Sequence, residues 1–160
     1  MDIHAAIRSQ YHAAAEMLRQ AVVRCPDSLW DDPQYKNRFW HVAYHALVYL
    51  DIYLQTSPDA FRPWEKHRDS CRHLDRTPIG APYTREEILA YHAICLQQVD
   101  LCVPNLDLEA PSGFHWLPFS RLELQLYNIR HLQQHVGELC ERLGVTAGID
   151  VDWTGMQHEE

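Results

Sequence analysis

The sequence predicts an all-α protein folded as a four-helix bundle. Three observations predict it. Apolar residues recur at three- and four-residue spacing over four long stretches. Helix start and stop signals bound those stretches. No segment alternates apolar and polar residues as a half-buried strand would.

The first helix is expected over residues 3–23, where Ile7, Tyr11, Ala14, Leu18, Ala21 and Val22 share one face. Cys25-Pro26-Asp27 ends it. The second is expected over residues 33–55, with Asp32 as N-cap, Pro33 at the first helical position and Ser57-Pro58 as the stop. The third, residues 84–103, opens on Thr84 with Glu87 three residues on, a capping box, and stops before Pro104. The fourth, residues 120–143, opens on Ser120 and Glu123 and ends at Gly144, read as the C′ residue. At 1.5 Å per residue these helices are roughly 30 to 36 Å long, matched for lateral packing in one domain spanning residues 1–160. Two connections are long. Residues 58–83 carry Pro58, Pro63, Pro78 and Pro82 together with Phe61 and Trp64, which suggests an ordered, functional excursion. Residues 105–118 carry Gly113, His115 and Trp116. The tail after Gly148 is expected on the surface, with His158 beside Glu159-Glu160 in water.

The chain has 160 residues, 46% hydrophobic and 22% charged, with a net charge of −8 when the histidines are neutral. That balance fits a globular domain with its own core. It argues against nucleic acid and anionic membrane as partners, since both call for a basic face. The longest uncharged apolar run, residues 39–50, is too short to span a bilayer. The start Met1-Asp2-Ile3-His4 does not resemble a secretory signal, so a cytoplasmic location is expected. The five cysteines are an odd number with no C-x-x-C, and read as reduced thiols, mostly small core residues.

The chemistry lies in the histidines. His131 and His135 are four residues apart in the last helix, and His41 and His45 four apart in the second. Residues at that spacing share a helix face and can reach one cation. On a helical wheel, His131 and His135 lie at one margin of the apolar arc of their helix, with Glu138, Gln134 and Glu123 on the other side. His45 lies at the margin of its own arc, and His41 about 40° further out, on the wet side. Both positions fall near the middle of their helices, so His45, His131 and His135 can meet. The bland alternative for any one of these is a hydrogen-bonded core histidine. Three protein ligands would leave a fourth position open, the pattern of a catalytic site. Imidazole suits borderline metals, zinc or nickel first. The Glu-x-x-His motifs of di-iron bundles, H-E-x-x-H, a phosphate-binding glycine loop and a G-x-S-x-G elbow are all absent.

Two segments carry a family resemblance. Phe39-Trp40-His41-Val42-Ala43-Tyr44-His45-Ala46-Leu47, with Asp51-Ile52-Tyr53-Leu54 after it, resembles the second helix of the DinB-like (YfiT-like) superfamily. Tyr127-Asn128-Ile129-Arg130-His131-Leu132-Gln133-Gln134-His135-Val136-Gly137-Glu138-Leu139 resembles its last bundle helix. The resemblance implies a bundle of up-up-down-down order and a divalent metal held by His45, His131 and His135, with His41 not a ligand. It also implies a homodimer, to which the wide apolar helix faces contribute independently. Members include thiol transferases that use bacillithiol or glutathione-like cofactors, and a mycothiol-dependent maleylpyruvate isomerase. The expected function is therefore metal-dependent transfer of a low-molecular-weight thiol to a small electrophile. The alternative is a non-catalytic, stress-associated protein that binds metal or a small molecule. Trp64, His115 and Trp116 are expected to wall the opening beside the metal. Because the ligand imidazoles must be neutral, acidification below roughly pH 6 is expected to release the ion.

Overall fold

A computed structural model describes residues 2–78 and 80–157; His158 lies outside the described residues. The described chain is all-helical, without strands. Its elements are α1 (Ile3–Arg24), the single turn α2 (Asp27–Trp30), α3 (Phe39–Tyr53), α4 (Arg85–Cys102) and α5 (Arg121–Ala147). Asp2 caps α1 by accepting from the Ala5 N–H. Thr84 and Glu87 close the expected capping box on α4, and Ser120 accepts from the Glu123 N–H at the start of α5.

Two boundaries differ from the sequence reading. The second long helix begins at Phe39, not Pro33. Asp32 spends its carboxylate on the Gln34 N–H, and Arg38 donates to the carbonyls of Asp32 and Tyr35. Side chains thus satisfy a turn that a helix would otherwise have satisfied. The last helix passes through Gly144 and ends at Ala147, three residues later. Gly148 takes φ 64°, and the Ile149 N–H reaches back to the Leu143 carbonyl at 3.2 Å, a Schellman closure.

α1 packs on α4 and α5, and so does α3. Contacts fix the directions. Tyr11 meets Gln125 and Met17 meets Gln133, so α1 and α5 run parallel. Ala15 meets His92, and Arg85 reaches the Val22 and Cys25 carbonyls, so α1 and α4 run antiparallel. Tyr53 meets Gln125, Leu50 meets Asn128 and Asn37 meets Arg142, so α3 and α5 run antiparallel. The order is up-down-down-up, which corrects the up-up-down-down order implied by resemblance. The long connection explains it: α3 and α4 are parallel, so the chain between them must climb back along α3.

That climb buries α3 on nearly all sides. Thirteen of its 15 residues are buried. The inner face meets α4 and α5, with Trp40, Tyr44, Leu47 and Leu50 at the centre of the core. The outer face is covered by residues 58–78 and 80–83. There His41 bonds the Cys71 carbonyl, His45 the Arg72 carbonyl and Tyr49 the His73 ring, while Trp64 stacks on Tyr91 of α4 with ring centroids 4.9 Å apart and Tyr83 stacks on Tyr44 at 4.6 Å. The excursion is therefore an ordered cover. At the other end, residues 149–157 lie back along α1, tied to Arg24, Gln20 and Ser9 while Trp153 stays exposed. All five cysteines are free thiols, Cys25, Cys71 and Cys95 buried.

Asp51 is 4% exposed and accepts from the Tyr91 hydroxyl at 3.0 Å. Burial raises its pKa from 3.8 to about 6. The folded state then holds the proton more tightly than the unfolded chain. The stability this contributes is present at acid pH and lost as pH rises through about 6. Asp51→Asn should therefore stabilise the protein at pH 8 by up to about 3 kcal/mol, from about 1.4 kcal/mol per pKa unit. The gain should shrink toward pH 4. Urea unfolding of both proteins across that range measures it, and a gain that is constant with pH would contradict it.

Candidate metal centre

The antiparallel crossing of α3 and α5 brings His45 opposite His131, and helical spacing adds His135 one turn on. His45 Nε2 lies 3.1 Å from His131 Nε2, and His135 Nε2 lies 3.2 Å from the same atom. The three ligand atoms fall within 4.8 Å of one another. His135 is buried, while His45 and His131 are half-buried, which leaves the centre at the margin of the core.

The hydrogen bonds behind the rings decide which nitrogens are bare. His45 Nδ1–H donates to the Arg72 carbonyl at 2.7 Å, so its Nε2 carries a lone pair. His135 Nδ1–H donates to the Glu138 carboxylate at 3.2 Å, so its Nε2 is bare as well. Arg142 fixes Glu138 from the far side at 3.0 Å and is itself anchored to the Asn37 carbonyl. His131 Nε2 stands between the two lone pairs, and its Nδ1 is buried with no partner among the described residues. A proton on His131 Nε2 can serve only one of its neighbours. A cation serves all three, and tetrahedral Zn–N bonds of about 2.05 Å would put ligand nitrogens about 3.3 Å apart. The residues present therefore fit a divalent ion. Burial lowers the pKa of His45 to about 3 and that of His131 to about 4, so both rings are neutral at pH 7.

His41 is not on the wet side. It is 1% exposed, and its Nε2–H donates to the Cys71 carbonyl at 2.9 Å. The wheel could not see the excursion that covers this face of α3. Trp64 also departs from expectation, because it stacks on Tyr91 and packs at a tilt on Tyr83, and it does not line the cavity beside the triad. Trp116 does wall a cavity beside the centre, along with Tyr49 and Arg72. His115 lines a different hollow, among residues 109–120. His4 and His92 bond main-chain carbonyls, and His12 pairs with Asp100. Sequence reasoning missed two partners of the triad. Glu138 falls on the polar side of the helical wheel, although its three-residue spacing from His135 is a usable signal. The Arg72 carbonyl leaves no mark in a sequence.

A family model described as the DinB superfamily matches residues 10–139. No curated protein matches the chain, and no solved structure does.

Proposed function

The chain belongs to the DinB superfamily, and from that premise we propose that its long helices form a metal-binding four-helix bundle acting as a thiol S-transferase. In this reading one divalent ion, zinc or nickel, is held by His45, His131 and His135. The observation that carries it is the meeting of three Nε2 atoms, two of them bare because their rear nitrogens are committed to Arg72 and Glu138. Partners of that kind orient ligand rings and raise their basicity in metal sites.

A divalent ion there would supply Lewis acidity, lowering the pKa of a thiol brought to it. The rest is done by the chain. Glu138, braced by Arg142, keeps the His135 proton on Nδ1. The Arg72 carbonyl does the same for His45. The buried body of α3 under residues 58–83 sets the ring positions, and the half-exposed faces of His45 and His131 leave a path for a small molecule. Three protein ligands leave coordination free for a substrate.

The competing reading is a binding protein without turnover. A panel of low-molecular-weight thiols with a generic electrophile, run with metal-loaded and chelator-stripped protein, separates them. The transferase reading expects one thiol to react faster than its uncatalysed rate, and the gain to vanish on stripping. Equal rates in both preparations across the panel would favour the binding protein.

A further inference from the structure

Beside the three histidines lies a cavity of about 290 Å³. Its walls are chiefly rings, Tyr49, Tyr53, Phe61 and Trp116, and its polar lining is Arg72 and His73; among the described residues no carboxylate lines it. Tyr49 is the wall shared with the triad, its ring centroid 4.9 Å from that of His45 and 5.4 Å from that of His131. The rings brace one another. Tyr49 packs on Tyr53 at 5.5 Å, and Phe114 stands edge-on to both Tyr53 and Trp116. A slot between braced aromatic rings suits a flat, rigid body.

The hydrogen-bond directions say what that body should carry. Arg72 Nε–H can only donate, so His73 Nε2 accepts it at 3.1 Å. The one hydrogen of neutral His73 then sits on Nδ1 and is donated to the Tyr49 oxygen at 3.2 Å. The hydroxyl hydrogen of Tyr49 is left for another acceptor. The Arg72 guanidinium has a carboxylate neighbour in Asp69 at 3.5 Å, but Asp69 is 68% exposed, and such surface pairs hold weakly. The cavity thus offers a cation and a hydroxyl donor, both tied to one imidazole.

Building on the metal reading above, we propose that this cavity is the subsite for the electrophile and that it selects small aromatic carboxylates. The ring of the ligand lies between Trp116, Phe61 and Tyr53. Its carboxylate takes the guanidinium of Arg72 and the hydroxyl of Tyr49, and its reactive end faces the histidines across Tyr49.

Calorimetry with phenylacetate as probe, and benzyl alcohol as its neutral counterpart, tests this on the full-length protein both as purified and after chelation. Phenylacetate should bind about tenfold or more tighter than benzyl alcohol in both preparations, as a charge-assisted pair demands. Arg72→Gln should abolish that preference while keeping benzyl alcohol binding and metal content, because the carbonyl that holds His45 belongs to the main chain. Trp116→Ala should weaken both probes. Equal affinity for the two probes, unchanged phenylacetate binding in Arg72→Gln, or phenylacetate binding seen only with metal present would overturn the subsite. Elemental analysis of the same samples reports separately on the histidines: selective binding by protein that takes up no metal would keep the subsite and sink the metal reading.

Discussion

His131→Ala should take bound metal from one ion per chain to under about a tenth of that, with the helical circular dichroism unchanged. His131 Nε2 is the atom that the other two imidazoles face, at 3.1 and 3.2 Å. Two remaining imidazoles on separate helices do not make a closed site. The loss is also readable as stability. An ion bound only by the folded state, at a free concentration one hundred times its Kd, adds about 2.7 kcal/mol, and the variant should gain none of it. Glu138→Ala should be intermediate, weakening metal binding about 10- to 100-fold, because it frees the rear nitrogen of His135 without removing a ligand. His41→Ala should keep full metal occupancy but unfold more easily, since His41 is a buried tie between α3 and the Cys71 carbonyl. Full metal retention in His131→Ala would end the triad.

Gly113→Ala should be the most damaging small substitution away from the histidines, costing more than about 3 kcal/mol. Gly113 has φ 87°, where an L side chain is strained, and an added Cβ would stand 1.9 Å from the Thr56 carbonyl oxygen. The obstacle is main chain, so no rotamer relieves it. The turn would have to part from the end of the α3 connection, carrying Phe114 off Tyr53 and Trp116 off the cavity. The control is Gly137→Ala, inside α5 with nothing within 4 Å of the new methyl. It should stabilise by about 0.5 to 1 kcal/mol. Chemical denaturation of the two variants side by side gives the comparison; similar effects from both would contradict it.

Much of this was legible in the sequence because it is local. The faces of α1 and α5, the Thr84–Glu87 capping box and the shared face of His131 and His135 depend on residues within a few positions of one another. The convergence of His45 on that pair was readable too, since a wheel and a helix midpoint suffice to locate it. What was lost depends on chain far away. A wheel gives His41 the same angle whether water or Cys71 covers it, and only the return of residues 58–83 along α3 makes it buried. The same return sets the up-down-down-up order, which no periodicity encodes. The start of α3 was misplaced because Asp32-Pro33 is as good a turn as a helix start, and Arg38 and Arg142 settle the matter by bonding the loop carbonyls. Glu138 shows on the wheel only as a polar-side residue, and its spacing from His135 is the part of the signal that places it behind that ring.

The proposed function stands on one divalent ion held among His45, His131 and His135. The most direct measurement is a crystal structure of the purified protein with anomalous data collected on both sides of the zinc and nickel absorption edges. A single strong anomalous peak per chain is expected, about 2.0–2.1 Å from the Nε2 atom of each of the three histidines if the ion is zinc. His41 should still be bonded to the Cys71 carbonyl. An ion held by other residues, or three histidines hydrogen-bonded to one another with no peak in protein supplied with zinc and nickel, would contradict it.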